Sequence, residues 1–186
     1  MKGNTMKQTV EPLRRKSDIK RVEDYLAEKN IRDKVLWVLG LNSGLRVSDI
    51  VALNVGDVKE KTHISITEKK TGKLKKFPIN KKLQAELKKY IQNKPLEQPL
   101  FIGKRGKRLN RREVYRFINR ACSTLGIKVN VGTHTMRKTF GYHHYQQYKD
   151  AIVLQKIFNH SSQRITMTYI GIEQDEIDIS YRNFEL

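Results

Sequence analysis

One cysteine among 186 residues, Cys122, excludes an internal disulfide and leaves no cysteine partner for a zinc knot. Its neighbours Phe117, Ile118, Ala121 and Leu125 suit one helical face, so the thiol reads as inert packing. Long hydrophobic runs are missing too. The strongest, Val35 to Leu41, has seven residues against the ~20 needed to cross a bilayer, so no membrane span is expected. The N-terminal lysines are not followed by an apolar segment of ~7–15 residues, so no secretory signal is expected and a cytoplasmic, nucleoid-associated location follows. There is no internal repeat or low-complexity domain. Acidic residues are scarce, 19 Asp+Glu against 38 Lys+Arg, and they form no convincing metal-binding cluster.

What is there is charge of one sign on a chain that can fold. A formal charge of +19 with 38% hydrophobic residues is too apolar for a disordered basic tail and too charged for a membrane bundle. At this length one hydrophobic core, and so one domain, is expected. The charge attracts polyanions, with nucleic acid the leading partner and an acidic membrane surface the second; charge alone leaves that choice open.

The patterning predicts a mostly α fold with a small antiparallel β-sheet. Residues 1–16 form a basic tail, and the domain, 17–186, starts where Ser17 caps an amphipathic helix that Asn30 closes. A denser apolar helix over 31–41 breaks at Asn42, Ser43 and Gly44, so Arg46 follows a turn, beside a short helix capped by Ser48. Alternation from His63 to Ile79 around Lys69-Lys70-Thr71-Gly72-Lys73 predicts a hairpin. Asn80 and Asn110 cap two further helices, and a glycine-bearing basic loop, 103–108, precedes the second. Helices over 134–147, 151–158 and 161–169 follow, Gly171 breaks the last, and 173–182 forms a short helix.

The chemistry-bearing residues stand in one order: Arg46 in NSGLRVSDI, Lys70 in EKKTGKLKKFPI, His134 and Arg137 in HTMR, then His160 and Tyr169 in NHSSQRITMTY. Two arginines suit the nonbridging oxygens of a phosphodiester, because a guanidinium stays charged and donates in a fixed fork. The i,i+3 spacing of His134 and Arg137 presents both to one substrate. Asp49, three residues after Arg46, is placed to pair with it, although a helix cap or surface ion pair competes.

The ordered set resembles the catalytic domain of tyrosine recombinases, the phage integrase family, over about residue 17 to the C-terminus. The resemblance implies the catalytic-core fold and site-specific strand exchange on double-stranded DNA through a 3′-phosphotyrosyl intermediate, without metal or cofactor. It makes Tyr169 the nucleophile, Arg46 and Arg137 the phosphate clamp, His134 the general base, His160 a phosphate donor and Lys70 the general acid to the 5′ oxygen, with Asp49 supporting Arg46. Lys69 and Lys73 compete for the role of Lys70. Lys69, Lys73, Lys75, Lys76, Lys104, Arg105, Lys107, Arg108, Arg111 and Arg112 are candidates for contacting DNA. His63, His143, His144, Tyr142, Tyr145, Tyr148 and Tyr181 read as structural or surface residues.

Two departures stand out: Asn159 occupies the place usually held by glycine, and Lys75 replaces an arginine common in this family. The chain is expected to lack the separate N-terminal DNA-binding domain of most integrases, whether as a fragment or as a naturally short recombinase. The resemblance also implies a homotetramer in the synaptic complex and is compatible with a monomer when free, with 173–186 as a candidate tail for packing on a neighbour. A type IB topoisomerase-like enzyme and a noncatalytic DNA-binding protein are the competing readings.

Overall fold

A computed structural model describes residues 9–185, apart from the side chains of Arg105, residues 173–176 and Ser180. Its helices are α1 (Lys16–Lys29), α2 (Ile31–Ser43), α3 (Val47–Ile50), α4 (Lys81–Tyr90), α5 (Arg111–Thr124), α6 (Thr135–Tyr148), α7 (Ala151–Phe158), α8 (Gln163–Ile170) and α9 (Glu173–Arg182). Between α3 and α4, β1 (His63–Thr67) pairs antiparallel with β2 (Leu74–Pro78). The register sets Ile64 opposite Phe77 and Ile66 opposite Lys75. Directly opposed residues share a face, so Lys75 lies on the side of the two isoleucines.

Helix α2 is the hub. Val35 to Leu39 are fully buried, and the helix packs against α1, α4 and α6. The Asn30 side chain accepts from the Arg32 amide to start it, and Gly44 ends it in the left-handed region at φ 60°. A side chain at Gly44 would also meet the Phe140 ring at 2.6 Å, so this turn needs glycine twice over. The Asn80 and Asn110 caps form as expected.

The start of the domain differs from expectation. Residues 9–15 do not trail as a basic tail: Leu13 is buried, its amide donates to Thr139 Oγ1 at 2.9 Å, and the Glu11 amide donates to the Asn130 carbonyl. Buried Pro12 and Leu13 and three hydrogen-bond partners of the backbone anchor an extended segment that lacks the periodicity of an element; His143 Nε2 supplies the third, to the Leu13 carbonyl. Arg15, not Ser17, precedes the first turn of α1, and residues 1–8 of the expected tail lie outside the described residues.

A second, smaller core of Leu154, Phe158, Ile170 and Ile172 sits apart from the main one and seats α8. Gly141 on α6 permits this, since a Cβ there would lie 2.6–2.7 Å from Ile170 and Phe158. The Ser162 side chain caps α8, and Gly171 closes it in the left-handed region.

Candidate active site

Four short structures converge: the turn after α2, the hairpin turn, the first turn of α6, and the α7–α8 segment. Arg137, 2% exposed, lies in the first turn of α6 and donates from Nη1 to the Gly44 carbonyl and from Nη2 to the Phe158 carbonyl at 2.9 Å. Its guanidinium lies 4.3 Å from the Phe158 ring centre. Two backbone acceptors from distant elements thus fix a buried cation, which also hydrogen-bonds to Tyr169.

Tyr169, near the end of α8, lies against that cation. Its Oη is 3.0 Å from His134 Nδ1, and its ring makes edge contacts with Phe158, His160 and His134. Burial pushes the phenol up to about 12, although charge and a hydrogen bond from Arg137 act the other way. Burial first, then Arg137, Lys138, Arg46 and Lys70, hold His134 below the ordinary histidine value. A neutral His134 can therefore accept the phenolic proton through Nδ1.

His160 follows α7 on a left-handed residue, Asn159, at φ 51°. Asparagine tolerates this conformation better than most residues with a Cβ, so the departure from glycine keeps the turn. His160 Nδ1 lies 3.0 Å from the hydroxyl of Thr166, a fully buried residue. Burial and the cations Arg137, Arg46 and Lys70 push the imidazole down to about 4. It is neutral at physiological pH, and its Nδ1 faces a hydroxyl that itself donates to the Ser162 carbonyl at 3.2 Å.

Arg46 stands just before α3, and its Nη1 pairs at 3.0 Å with Glu68 Oε1, a carboxylate with no exposed surface. Asp49 does not occupy the supporting position expected of it. It is buried, and its Oδ1 accepts the Lys69 amide at 3.1 Å, tying the hairpin to α3. Spacing alone favoured the i,i+3 pair; the tertiary fold brings Glu68, 22 positions away, to Arg46 instead.

Lys70 is exposed at the hairpin turn and lines, with Arg46, Lys69, Arg111 and His134, a cleft of about 700 Å³. Its charge reaches His134 and His160. Lys75 behaves differently. Its Nζ is buried without a hydrogen-bond partner, and burial, with Arg137 and Arg46, pushes it down to about 8 against the pull of Glu68 and Asp49. Strand alternation with Phe77 was the available signal for this inward placement.

The DNA-contact candidates separate in the same way. Lys69, Lys73, Lys76, Lys104, Lys107, Arg111 and Arg112 are exposed. Arg111 and Arg112 open α5, where the helix dipole disfavours cations and favours an anion. Arg108 is exposed too, but its guanidinium is committed within the chain: Nη1 donates to the carbonyls of Val51, Ala52 and Leu53, and Nη2 to Asn54 Oδ1. The Arg105 side chain lies outside the described residues. Sequence reasoning missed Glu68, Thr166 and Lys138, whose ammonium lies 5.1 Å from the Tyr169 ring centre. Of these only Glu68 carried a signal, as the lone acid among five hairpin lysines. Cys122 is buried and pushed up to about 11, which fits packing.

Comparison with known proteins places this geometry. The model of the phage integrase family matches residues 14–176. The chain is 43% identical over 176 residues to the probable integrase/recombinase YoeC of Bacillus subtilis, covering 94% of this chain and 97% of that protein. It is 31% identical over 152 residues to tyrosine recombinase XerC of Thermodesulfovibrio yellowstonii, covering 76% of this chain but only 50% of that protein. A crystal structure of a lambda integrase dimer bound to a COC′ core site superposes with a TM-score of 0.72 at 16% identity, over 90% of this chain and 50% of the other. The fold is shared, and the chain spans about half the length of the XerC and lambda proteins.

Proposed function

Given that the chain belongs to the phage integrase family and is a tyrosine-type site-specific DNA recombinase, we propose that Tyr169 is its nucleophile and that one chain supplies the whole cleavage site. The observation that carries this reading is the 3.0 Å approach of Tyr169 Oη to His134 Nδ1, beside the buried Arg137. The phenol, with its value near 12, holds its proton at neutral pH, so attack requires a base at the hydroxyl.

Arg46 and Arg137 hold the nonbridging oxygens of the scissile phosphate, and His160 donates to the same group as negative charge grows. The Tyr169 oxygen attacks phosphorus while its proton passes to His134 Nδ1. The bond from phosphorus to the 5′ oxygen breaks, and Lys70 protonates that leaving oxygen. The product is a 3′-phosphotyrosyl ester and a free 5′-hydroxyl. Attack by a 5′-hydroxyl from the same or a partner strand reverses the step and conserves the phosphodiester energy. An anionic phosphate between the arginines also offsets the cations that depress His134, making it a better base when DNA is bound.

Double-stranded DNA is the partner, held by the exposed hairpin lysines and by the start of α5. The exposed Ile177, Ile179, Tyr181 and Phe184 support a tail that packs on a neighbouring copy in a synaptic tetramer. No helix among the described residues is long and apolar enough to cross a membrane. A nicked duplex that loses its short strand after cleavage tests the reading. Wild type should form a covalent protein–DNA band and Tyr169→Phe should not; an unchanged band in the variant would move the nucleophile elsewhere. Recombinant joints from paired sites distinguish strand exchange from resealing.

A further inference from the structure

Glu68 is a fully buried carboxylate with no place in the chemistry above, yet it touches three of the four structures that build the site. Oε1 pairs with Arg46 at 3.0 Å. Oε2 accepts from the Thr71 hydroxyl at 2.8 Å, within the turn that carries Lys70, and from Asn159 Nδ2 at 3.0 Å, beside His160. Its backbone frames the same turn, since the Glu68 amide donates to the Lys73 carbonyl and its carbonyl accepts from the Gly72 amide. Asn159 also stands between His160 and Phe158, whose carbonyl accepts from Arg137.

We propose that Glu68 is a positioning residue for cleavage, one carboxylate that sets Arg46, the Lys70 turn and the His160 turn in a common register before DNA arrives. The proposal rests on the roles assigned above to those three residues. An arginine fork held on one side by a carboxylate presents its remaining donors in a fixed direction, which an unpaired side chain in water does not. Asn159 is the matching half of the device: a left-handed position that glycine would fill equally well carries an amide that reaches the hairpin.

The test measures single-turnover cleavage and DNA affinity in the full chain, with wild type and Tyr169→Phe as controls. Glu68→Gln keeps the shape and loses the charge, whereas Asn159→Gly keeps the turn and loses the tie. Glu68→Gln should slow cleavage on the order of 10- to 100-fold with DNA affinity little changed, Glu68→Ala should slow it more, and Asn159→Gly less. Because Glu68 acts through Arg46, Glu68→Gln combined with Arg46→Lys should lose much less than the product of the single losses. Wild-type rates in both Glu68→Gln and Asn159→Gly, or fully multiplicative losses with Arg46→Lys, would overturn the proposal while leaving the tyrosine reading intact. If Glu68→Gln does not fold, the rate of Asn159→Gly decides. Failure of wild type to form the adduct, or its persistence in Tyr169→Phe, would remove the reading and this proposal with it.

Discussion

At the scale of single residues, the site sets a buried phenol, the proposed nucleophile, against a neutral imidazole, its proposed base. Tyr169 is held protonated by burial, and His134, held below the ordinary histidine range, is unprotonated at neutral pH. Cleavage should therefore stay flat through neutral pH and fall only as acid protonates His134, below its ordinary value of 6.5. Replacing His134 by alanine should slow single-turnover cleavage about 10²- to 10⁴-fold. A rate that climbs tenfold per pH unit through pH 7–9 would instead indicate attack by a preformed phenolate. The residues of this pair were legible because their order and spacing are local properties of the chain. Glu68 was not, because its partners Arg46 and Asn159 lie 22 and 91 positions away and only the fold brings them together. Asp49 was misplaced for the converse reason: helical spacing offered a partner that the tertiary contacts did not use.

At the scale of elements, turns do the positioning. The Gly44 turn ends α2, exposes the carbonyl that receives Arg137, and delivers Arg46 two residues later. Gly44→Ala forces a side chain into a left-handed residue and against Phe140, so it should destabilise the protein by about 1–3 kcal/mol and slow cleavage together. Denaturant unfolding alongside the cleavage assay checks this; an unaltered midpoint would show that the turn relaxes without consequence. Helices α2, α4, α5 and α7 were legible from apolar periodicity, capping residues and glycine or proline stops, and the hairpin from alternation around Thr71-Gly72. The extended stretch 9–15 was not, since backbone pairing to Asn130 and Thr139 leaves no periodic trace. Nor could the sequence separate Arg108, whose guanidinium satisfies loop carbonyls, from the other cations near it.

At the scale of the whole molecule, two properties follow from summed charge and burial. DNA affinity should weaken steeply with salt, and removal of Lys69, Lys73 or Lys76 should each lower the slope of log affinity against log salt by about 1 where the lysine meets a phosphate. The same slope in all three variants would show that this face does not carry the duplex. Stability should fall as pH drops below about 6.5, because burial holds His134, His143, His144 and His160 neutral in the fold, the last down to about 4. In that window the unfolded chain binds protons that the native state refuses. Glu68, held below the ordinary carboxylate range as the Asn159 and Thr71 hydrogen bonds and Arg46 outweigh its burial, extends the loss to still lower pH. Urea unfolding at a series of pH values measures both; a midpoint constant from pH 7.5 to 4.5 would contradict the burial of these imidazoles.

The most direct measurement is to trap the covalent adduct, digest it with trypsin, and sequence by mass spectrometry the peptide that carries the nucleotide. Cleavage after Arg164 and Arg182 releases one peptide holding both Tyr169 and Tyr181, so fragment ions must assign the phosphate to one of them. A 3′-phosphonucleotide on Tyr169 is the result expected of a nucleophile seated 3.0 Å from His134. Its appearance on Tyr181, or on any residue outside the cluster, would contradict the account.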